Sequence, residues 1–192
     1  MARLVAVLGS VTPPGRSLKA LEFVVRCAGE EASGLDAHLI NLRDRRVSFA
    51  DGRSPHEFDD DTESVVREIG DAAAVIFASP VYRGSFSGAL KNLLDQLPVE
   101  ALRGKPCGIV AIGATEHHFL GVDWHLRGVL TWFGALTAPT SVYLSSADFS
   151  AGEPAERARN ELRQLVATVL KLAAAAGVAG ELGPAPLATR RQ

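Results

Sequence analysis

The sequence predicts an α/β fold: an open, doubly wound sheet of five parallel strands with helices on both faces. Three observations carry that expectation. Strand-length apolar runs alternate five times with segments of helical period. The first, third and fourth runs are hydrophobic without interruption, as strands covered on both faces are. A chain of 192 residues that is 47% hydrophobic and 22% charged supplies one domain with ample apolar material for a core.

The first strand is Leu4–Leu8, an apolar run that stops at Gly9, and the first helix is Ser17–Glu30. The second strand, Ala37–Ile40, leads into Leu42–Asp59, whose Arg, Asp and Gly content marks a loop. Asp59, Asp60 and Asp61 then place negative charge at the start of the helix Asp60–Ile69, complementing its dipole. The strand Ala73–Ala78 precedes the helix Gly88–Leu97, and the strand Gly108–Ile112 precedes the helix Phe119–Phe133. Last come the strand Ser141–Leu144 and the helix Pro154–Ala176. In that helix Leu162, Leu165, Val166, Val169, Leu170 and Ala173 fall on one stripe, and Gly177 is a natural stop. Residues 1–177 are therefore expected to form one domain. Residues 178–192, with their Gly, Pro and Ala and a closing Arg190-Arg191-Gln192, are expected to be a flexible tail.

Charge and composition exclude several function classes. A formal net charge of −2 gives no basic face for nucleic acid. No apolar run reaches the roughly 18–20 residues needed to cross a bilayer, and the N-terminal run ends at Gly9, too early for a signal segment. Cys27 and Cys107 stand in no C-x-x-C or zinc-type spacing, so both are expected to be buried, reduced thiols in a cytoplasmic protein.

Open sheets of this kind bind ligands beyond the carboxyl ends of the strands, where the winding reverses. The loops after the first, third and fourth strands are therefore the candidates. The first passes from Gly9 and Ser10 through Pro13-Pro14 to Arg16 and Ser17 at a helix start. Hydroxyls, a forked cation, unpaired helix amides and a loop stiffened by proline suit a phosphate, although an ordinary helix cap has the same composition. It is neither G-x-G-x-x-G nor a P-loop. The second runs Ser79-Pro80-Val81-Tyr82-Arg83-Gly84-Ser85-Phe86-Ser87-Gly88. Its small residues let a flat ligand approach the backbone while Tyr82 flanks it; a plain Gly-Ser connection is the alternative. The third, Gly113-Ala114-Thr115, closes the pocket from the far side. Glu116, His117, His118, Asp123 and His125 follow within ten positions, but in no metal-binding pattern, and no metal is expected.

Three segments in order resemble the NAD(P)H-dependent FMN reductases of flavodoxin-like fold, notably those that supply reduced flavin to monooxygenases in sulfonate metabolism. They are GSVTPPGRSLKAL, SPVYRGSFSGALKNLLDQLP and GATEHHFLGVDWHLRGVL, the second being the most specific. The resemblance implies FMN and NAD(P)H as cofactors. It implies that Ser10, Arg16 and Ser17 hold the FMN phosphate. Pro80, Val81, Tyr82, Arg83, Gly84 and Ser85 would border the isoalloxazine ring, and Gly113, Ala114 and Thr115 would complete the pocket. The chain departs from the family pattern at Thr12, often Arg, at Trp124, usually Tyr, and at Gly128, usually Pro. The fourth helix carries the subunit interface in the family, so a homodimer or homotetramer is implied, and a flavin-dependent monooxygenase as partner.

The function expected is hydride transfer from nicotinamide to FMN. Reduced FMN then serves an oxygenase or stays bound to reduce a quinone, azo compound or other acceptor. Hydride transfer itself needs no acid or base, so no catalytic side chain is named. A flavodoxin-like electron carrier and a flavin-binding regulator are the alternatives. NADPH consumption with free FMN under air separates them from the enzyme.

Overall fold

The computed structural model describes residues 3–32, 34–116, 119–179 and 182–184. Each continuous apolar run forms a central strand, and its alternating side chains point to opposite faces. The strands β1 (Arg3–Leu8), β2 (Asp36–Asn41), β3 (Ala74–Pro80) and β4 (Pro106–Ile112) are all parallel. β1 lies between β2 and β3, with Leu4 opposite Ala37 on one side and Ala74 on the other. β4 follows β3, and a fifth strand position closes the row in the order 2-1-3-4-5. That is the flavodoxin-like arrangement the sequence predicts.

The fifth position is split, where the sequence predicts one strand over Ser141–Leu144. It consists of β5 (Leu136–Thr137), opposite Pro106 and Cys107, and β6 (Val142–Leu144), opposite Val110 to Ile112. From Cys107 to Val110 is three steps, and from Thr137 to Val142 five, so two residues bulge out of the ladder. Pro139, with no N–H to donate, lies in the bulge. A short antiparallel hairpin follows, β7 (Phe149–Ser150) with β8 (Glu153–Pro154). Pro154 thus belongs to a strand, and the last helix starts two residues later.

Five α-helices cover the sheet: α1 (Arg16–Glu31), α2 (Thr62–Asp71), α3 (Gly88–Gln96), α4 (Phe119–Trp132) and α5 (Glu156–Ala179). Leu4, Ala6, Ile76 and Val110 face α1 and α5, meeting Leu21, Val24, Leu162 and Val166. Val5, Val7, Phe77 and Ile109 face α2, α3 and α4, meeting Ile69, Leu90, Leu93 and Leu126. Each large apolar side chain buried this way contributes about 1.5–3 kcal/mol, so the two layers hold the strand ends, and the loops on them, rigidly. Contrary to the sequence expectation, Gly177 does not end α5, which runs on to Ala179. Gly177 is not in the left-handed conformation that closes a helix. Most of the tail expected over 178–192 lies outside the described residues. Among those described, no helix is long and apolar enough to cross a membrane, and both cysteines are buried and unpaired.

Candidate functional site

The winding reverses between β1 and β3, and the loops leaving β1, β3 and β4 meet there. Gly9 ends β1 with its amide on the Ala78 carbonyl at 2.8 Å. A Cβ on Gly9 would stand 2.6 Å from the Leu90 Cβ, so only glycine lets the first loop sit this close to α3. Ser10 is buried, and its Oγ lies 2.8 Å from the Thr12 hydroxyl. Gly15 precedes α1 in an extended conformation without a side-chain cap, and the first turn of α1 has no acidic residue. The amides of that turn, at the positive end of the helix dipole and beside the Ser17 hydroxyl, therefore face the loop without intrahelical acceptors. Arg16 takes an unexpected course. Its Nη1 donates to Ser146 Oγ at 2.5 Å, and its guanidinium stands 6.0 Å from the centre of the Phe149 ring.

The second loop is a tight hairpin. Tyr82 and Ser85 exchange two backbone hydrogen bonds of 2.8 and 3.0 Å around Arg83 (φ 52°) and Gly84 (φ 77°), the two left-handed residues of a type I′ turn. Val81 is tied to the end of β4, just before the third loop, through its amide on the Ile112 carbonyl, 2.9 Å away. A Cβ on Gly121 would stand 2.4 Å from the Gly84 carbonyl oxygen, so the start of α4 rests directly on the hairpin tip. Tyr82, 47% exposed, lines the cleft mouth.

Two buried serines lock the first loop to the second. Ser87 Oγ donates to the Gly9 carbonyl at 2.5 Å and accepts from the Leu90 amide at 3.0 Å, capping α3. Ser79 Oγ accepts from the Ser87 amide at 2.9 Å and donates to the Pro80 carbonyl at 2.8 Å. Sequence reasoning assigns neither a role, although Ser87 before Gly-Ala-Leu-Lys carries an N-cap signature.

The third loop leans on β6 and on the turn that follows it. The Gly113 amide donates to the Leu144 carbonyl at 2.9 Å. Tyr143 passes beneath Gly113, where a Cβ would lie 1.9 Å from the phenol oxygen. Tyr143 then donates to the Thr115 carbonyl at 2.5 Å, and Ser146 Oγ donates to the Ala114 carbonyl at 3.0 Å. That turn is closed by Asp148, which accepts from the Ser145 amide at 2.8 Å and pairs with Arg157. Burial pushes the Asp148 carboxyl up, but the Ser145 amide, Arg157 and the Ser145 hydroxyl outweigh it and hold the pKa below the ordinary value. Asp123 is occupied by Arg127, at 2.6 Å, whose Nη1 also donates to the Ala138 carbonyl at the strand bulge. His117 and His118 lie outside the described residues, among which no cluster of His, Cys, Asp and Glu could hold a metal ion.

The three loops enclose a cleft of ≈ 440 Å³. Ser10, Thr12, Arg16 and Ser17 line one end, and Pro80, Val81, Tyr82, Gly113 and Ala114 the other. Thr12 and Asn41 also line it, though the sequence does not mark them as ligands. A larger groove of ≈ 910 Å³ lies outside β6 against α5, and the first two loops do not reach it.

The family model described as NADPH-dependent FMN reductase matches residues 2–149, which includes every element that shapes the cleft. The chain belongs to the NADPH-dependent FMN reductase family. By family, its activity is NAD(P)H-dependent reduction of FMN. Over 133 residues it is 37% identical to an NAD(P)H-dependent FAD/FMN reductase of Geobacillus thermodenitrificans, covering 69% of this chain and 71% of that one. An FMN reductase (NADPH) of Pseudomonas aeruginosa is 35% identical over 147 residues, covering 77% and 78%. The NADH-dependent FMN reductase SfnF of Pseudomonas fluorescens is 34% identical over 151 residues, covering 77% and 79%. Among solved structures, an apo NADH:FMN oxidoreductase superposes with a TM-score of 0.73 at 23% identity over 91% of this chain and 90% of that one. An archaeal flavodoxin superposes at 0.63 with 11% identity, over 88% and 98% of the two chains. These two show the shared fold.

For an FMN reductase the donor set of this cleft fits the flavin. Hydroxyls and uncapped helix amides suit a dianionic phosphate, and the small residues opposite Tyr82 leave a slot for a flat ring.

Proposed function

We propose that the cleft binds FMN with its phosphate on the first loop and its isoalloxazine ring between the second and third, and that NAD(P)H reduces it there. The observation that carries this is the joining of the first two loops through Ser79, Ser87 and Gly9, which sets an uncapped helix start at a fixed distance from the hairpin of Tyr82. FMN, when bound, supplies the hydride-accepting ring, and the nicotinamide supplies the hydride. Ser10, Thr12 and Ser17 offer hydroxyl donors to the phosphate, and Arg16 adds positive charge from its tether on Ser146. Pro80, Val81, Tyr82, Arg83, Gly84 and Ser85 border one side of the ring, with Tyr82 flanking it. Gly113, Ala114 and Thr115 close the other side; the Gly113 amide is taken by Leu144, so the Ala114 and Thr115 amides are the donors left to favour the negative charge gained on reduction.

Reduced FMN then leaves for a partner monooxygenase or passes its electrons to another acceptor. A homo-oligomer forms through α3 and α4, where Leu94, Leu97, Val129 and Trp132 line a groove of ≈ 500 Å³ and Trp124 and Trp132 are 74% and 55% exposed. Two buried, unpaired thiols support the reducing cytoplasm as its compartment. The test is FMN titration followed by NADPH and NADH oxidation in air with added FMN. Saturable binding with turnover is expected; binding without turnover means a carrier, and no binding removes the assignment. Light scattering reads the oligomeric state.

A further inference from the structure

Arg16 is the first residue of α1, where the positive end of the helix dipole disfavours a cation. Arg45, Arg127 and Arg157 each meet a carboxylate. Among the described residues, the groups that hold Arg16 are neutral. They are the Ser146 hydroxyl at 2.5 Å and the face of the Phe149 ring, 6.0 Å from the guanidinium carbon. A carboxylate would cancel the charge it held, whereas a hydroxyl and a ring face fix the side chain and leave its charge for another group.

Both contacts come from a segment that is itself braced. Ser146 opens the turn Ser146–Asp148, which Asp148 closes by accepting from the Ser145 amide at 2.8 Å and the Ser145 hydroxyl at 3.1 Å. Phe149 begins the β7–β8 hairpin, whose Glu153 reaches Lys19 of α1 at 3.4 Å. Arg16 can only donate, so its bond to Ser146 Oγ leaves the Ser146 proton for the Ala114 carbonyl, 3.0 Å away. Ser146 therefore bridges the end of the first loop to the third. Arg16 and Ala114 line the cleft, while Ser146 and Phe149 stand behind them and do not. With one N–H of Nη1 on Ser146, the guanidinium keeps its other N–H groups for an anion.

We infer that Ser146 and Phe149 are positioning residues for the flavin phosphate: they hold Arg16 at that end of the cleft without neutralising it, and so set how strongly the site prefers FMN to the unphosphorylated flavin. This rests on the FMN assignment proposed for the cleft. Arg16 is exposed, and an exposed arginine without such support samples many rotamers that binding must then freeze. Immobilising a side chain of that kind weakens binding by about threefold to tenfold; here the protein orders it beforehand.

The test compares Ser146→Ala, Ser146→Thr and Phe149→Leu with the wild type, and repeats Ser146→Ala in an Arg16→Ala background. Binding of FMN and of riboflavin is read by calorimetry, and folding by thermal melting. Ser146→Ala is expected to weaken FMN about threefold to tenfold and riboflavin less than about twofold. Phe149→Leu, which keeps an apolar side chain in the same place, should also weaken FMN selectively. Ser146→Thr retains the hydroxyl and should restore the wild-type affinity for FMN. Once Arg16 is replaced, removing the Ser146 hydroxyl should change FMN affinity no further, because Ser146 acts through Arg16. Equal loss of FMN and riboflavin, in step with a lower melting temperature, overturns the inference and leaves the residues merely structural. Unchanged or tighter FMN binding in Ser146→Ala, or effects that add in the double variant, also overturn it while the FMN site stands. A wild-type protein that binds no FMN removes both readings.

Discussion

Replacing Gly9 by alanine probes the joint between the phosphate end of the cleft and the core. The new methyl would lie 2.6 Å from the Leu90 Cβ and 3.1 Å from the Ala78 carbonyl oxygen. Carbon atoms rest about 3.5–4.0 Å apart, so the loop and α3 must separate by about 1 Å. Neither neighbour can swing away, because one is a helix Cβ and the other a carbonyl in the central sheet. The separation strains two hydrogen bonds, Gly9 to Ala78 at 2.8 Å and Ser87 to Gly9 at 2.5 Å. Overpacking costs about 1–3 kcal/mol and weakening the two hydrogen bonds about 1 kcal/mol between them, which together come to about 2–4 kcal/mol. At about 2–4 °C per kcal/mol for a domain of this size, the melting temperature should fall by about 4–16 °C. Because the shift moves the first loop against the second, the FMN dissociation constant should rise about tenfold or more. Gly88→Ala is the control: nothing lies within 4 Å of its Cβ, and at the first position of α3 it should gain about 0.4–1 kcal/mol. Calorimetric melting and FMN titration of both variants decide the matter. A Gly9→Ala protein that melts within about 1 °C of the wild type and titrates identically would refute the reasoning.

Other perturbations test separate parts of the molecule. Arg16→Ala should weaken FMN about tenfold or more, a charged hydrogen bond being worth about 1.5–3 kcal/mol, but leave riboflavin, which has no phosphate, unaffected by calorimetry. Arg83→Gly relieves a left-handed non-glycine residue and should stabilise the fold by about 1 kcal/mol, seen as a higher melting temperature. Burial pushes the Cys107 thiol up to about 12 and raises Cys27 as well. The native protein should therefore resist a disulfide reagent at pH 8, and both thiols should react once guanidinium unfolds it. The Asp148 carboxyl sits below its ordinary 3.8, so the unfolded chain takes up that proton first on acidification. Its stabilisation is complete above 3.8 and lost as pH falls through the folded value, so Asp148→Asn should flatten the acid limb of stability against pH.

The positions of the three loops were legible because continuous apolar runs have few alternatives to buried parallel strands. Gly9, Gly84 and Gly113 then mark where the backbone must turn or be approached closely. Less legible were features that depend on which distant group a flexible or small polar side chain meets. Nothing local sends Arg16 to Ser146, 130 positions away. Ser79 and Ser87 look like ordinary loop serines until the loop folds over them. Tyr143 is simply an aromatic strand residue until Gly113 crosses above it. β5, two residues long, is too short for any periodicity, and only the ladder to Pro106 and Cys107 reveals it. Gly177 misled because a glycine closes a helix only when its own backbone turns left-handed, and composition alone does not set that turn.

The bulge between β5 and β6 separates two duties that one uninterrupted strand would have to share. Upstream, Leu136 and Thr137 finish the sheet; downstream, Val142 re-engages Val110 and starts the count afresh for Tyr143 and Ser146. An insertion or deletion at Pro139 or Thr140 would thus be absorbed before it reaches the residues that brace the third loop.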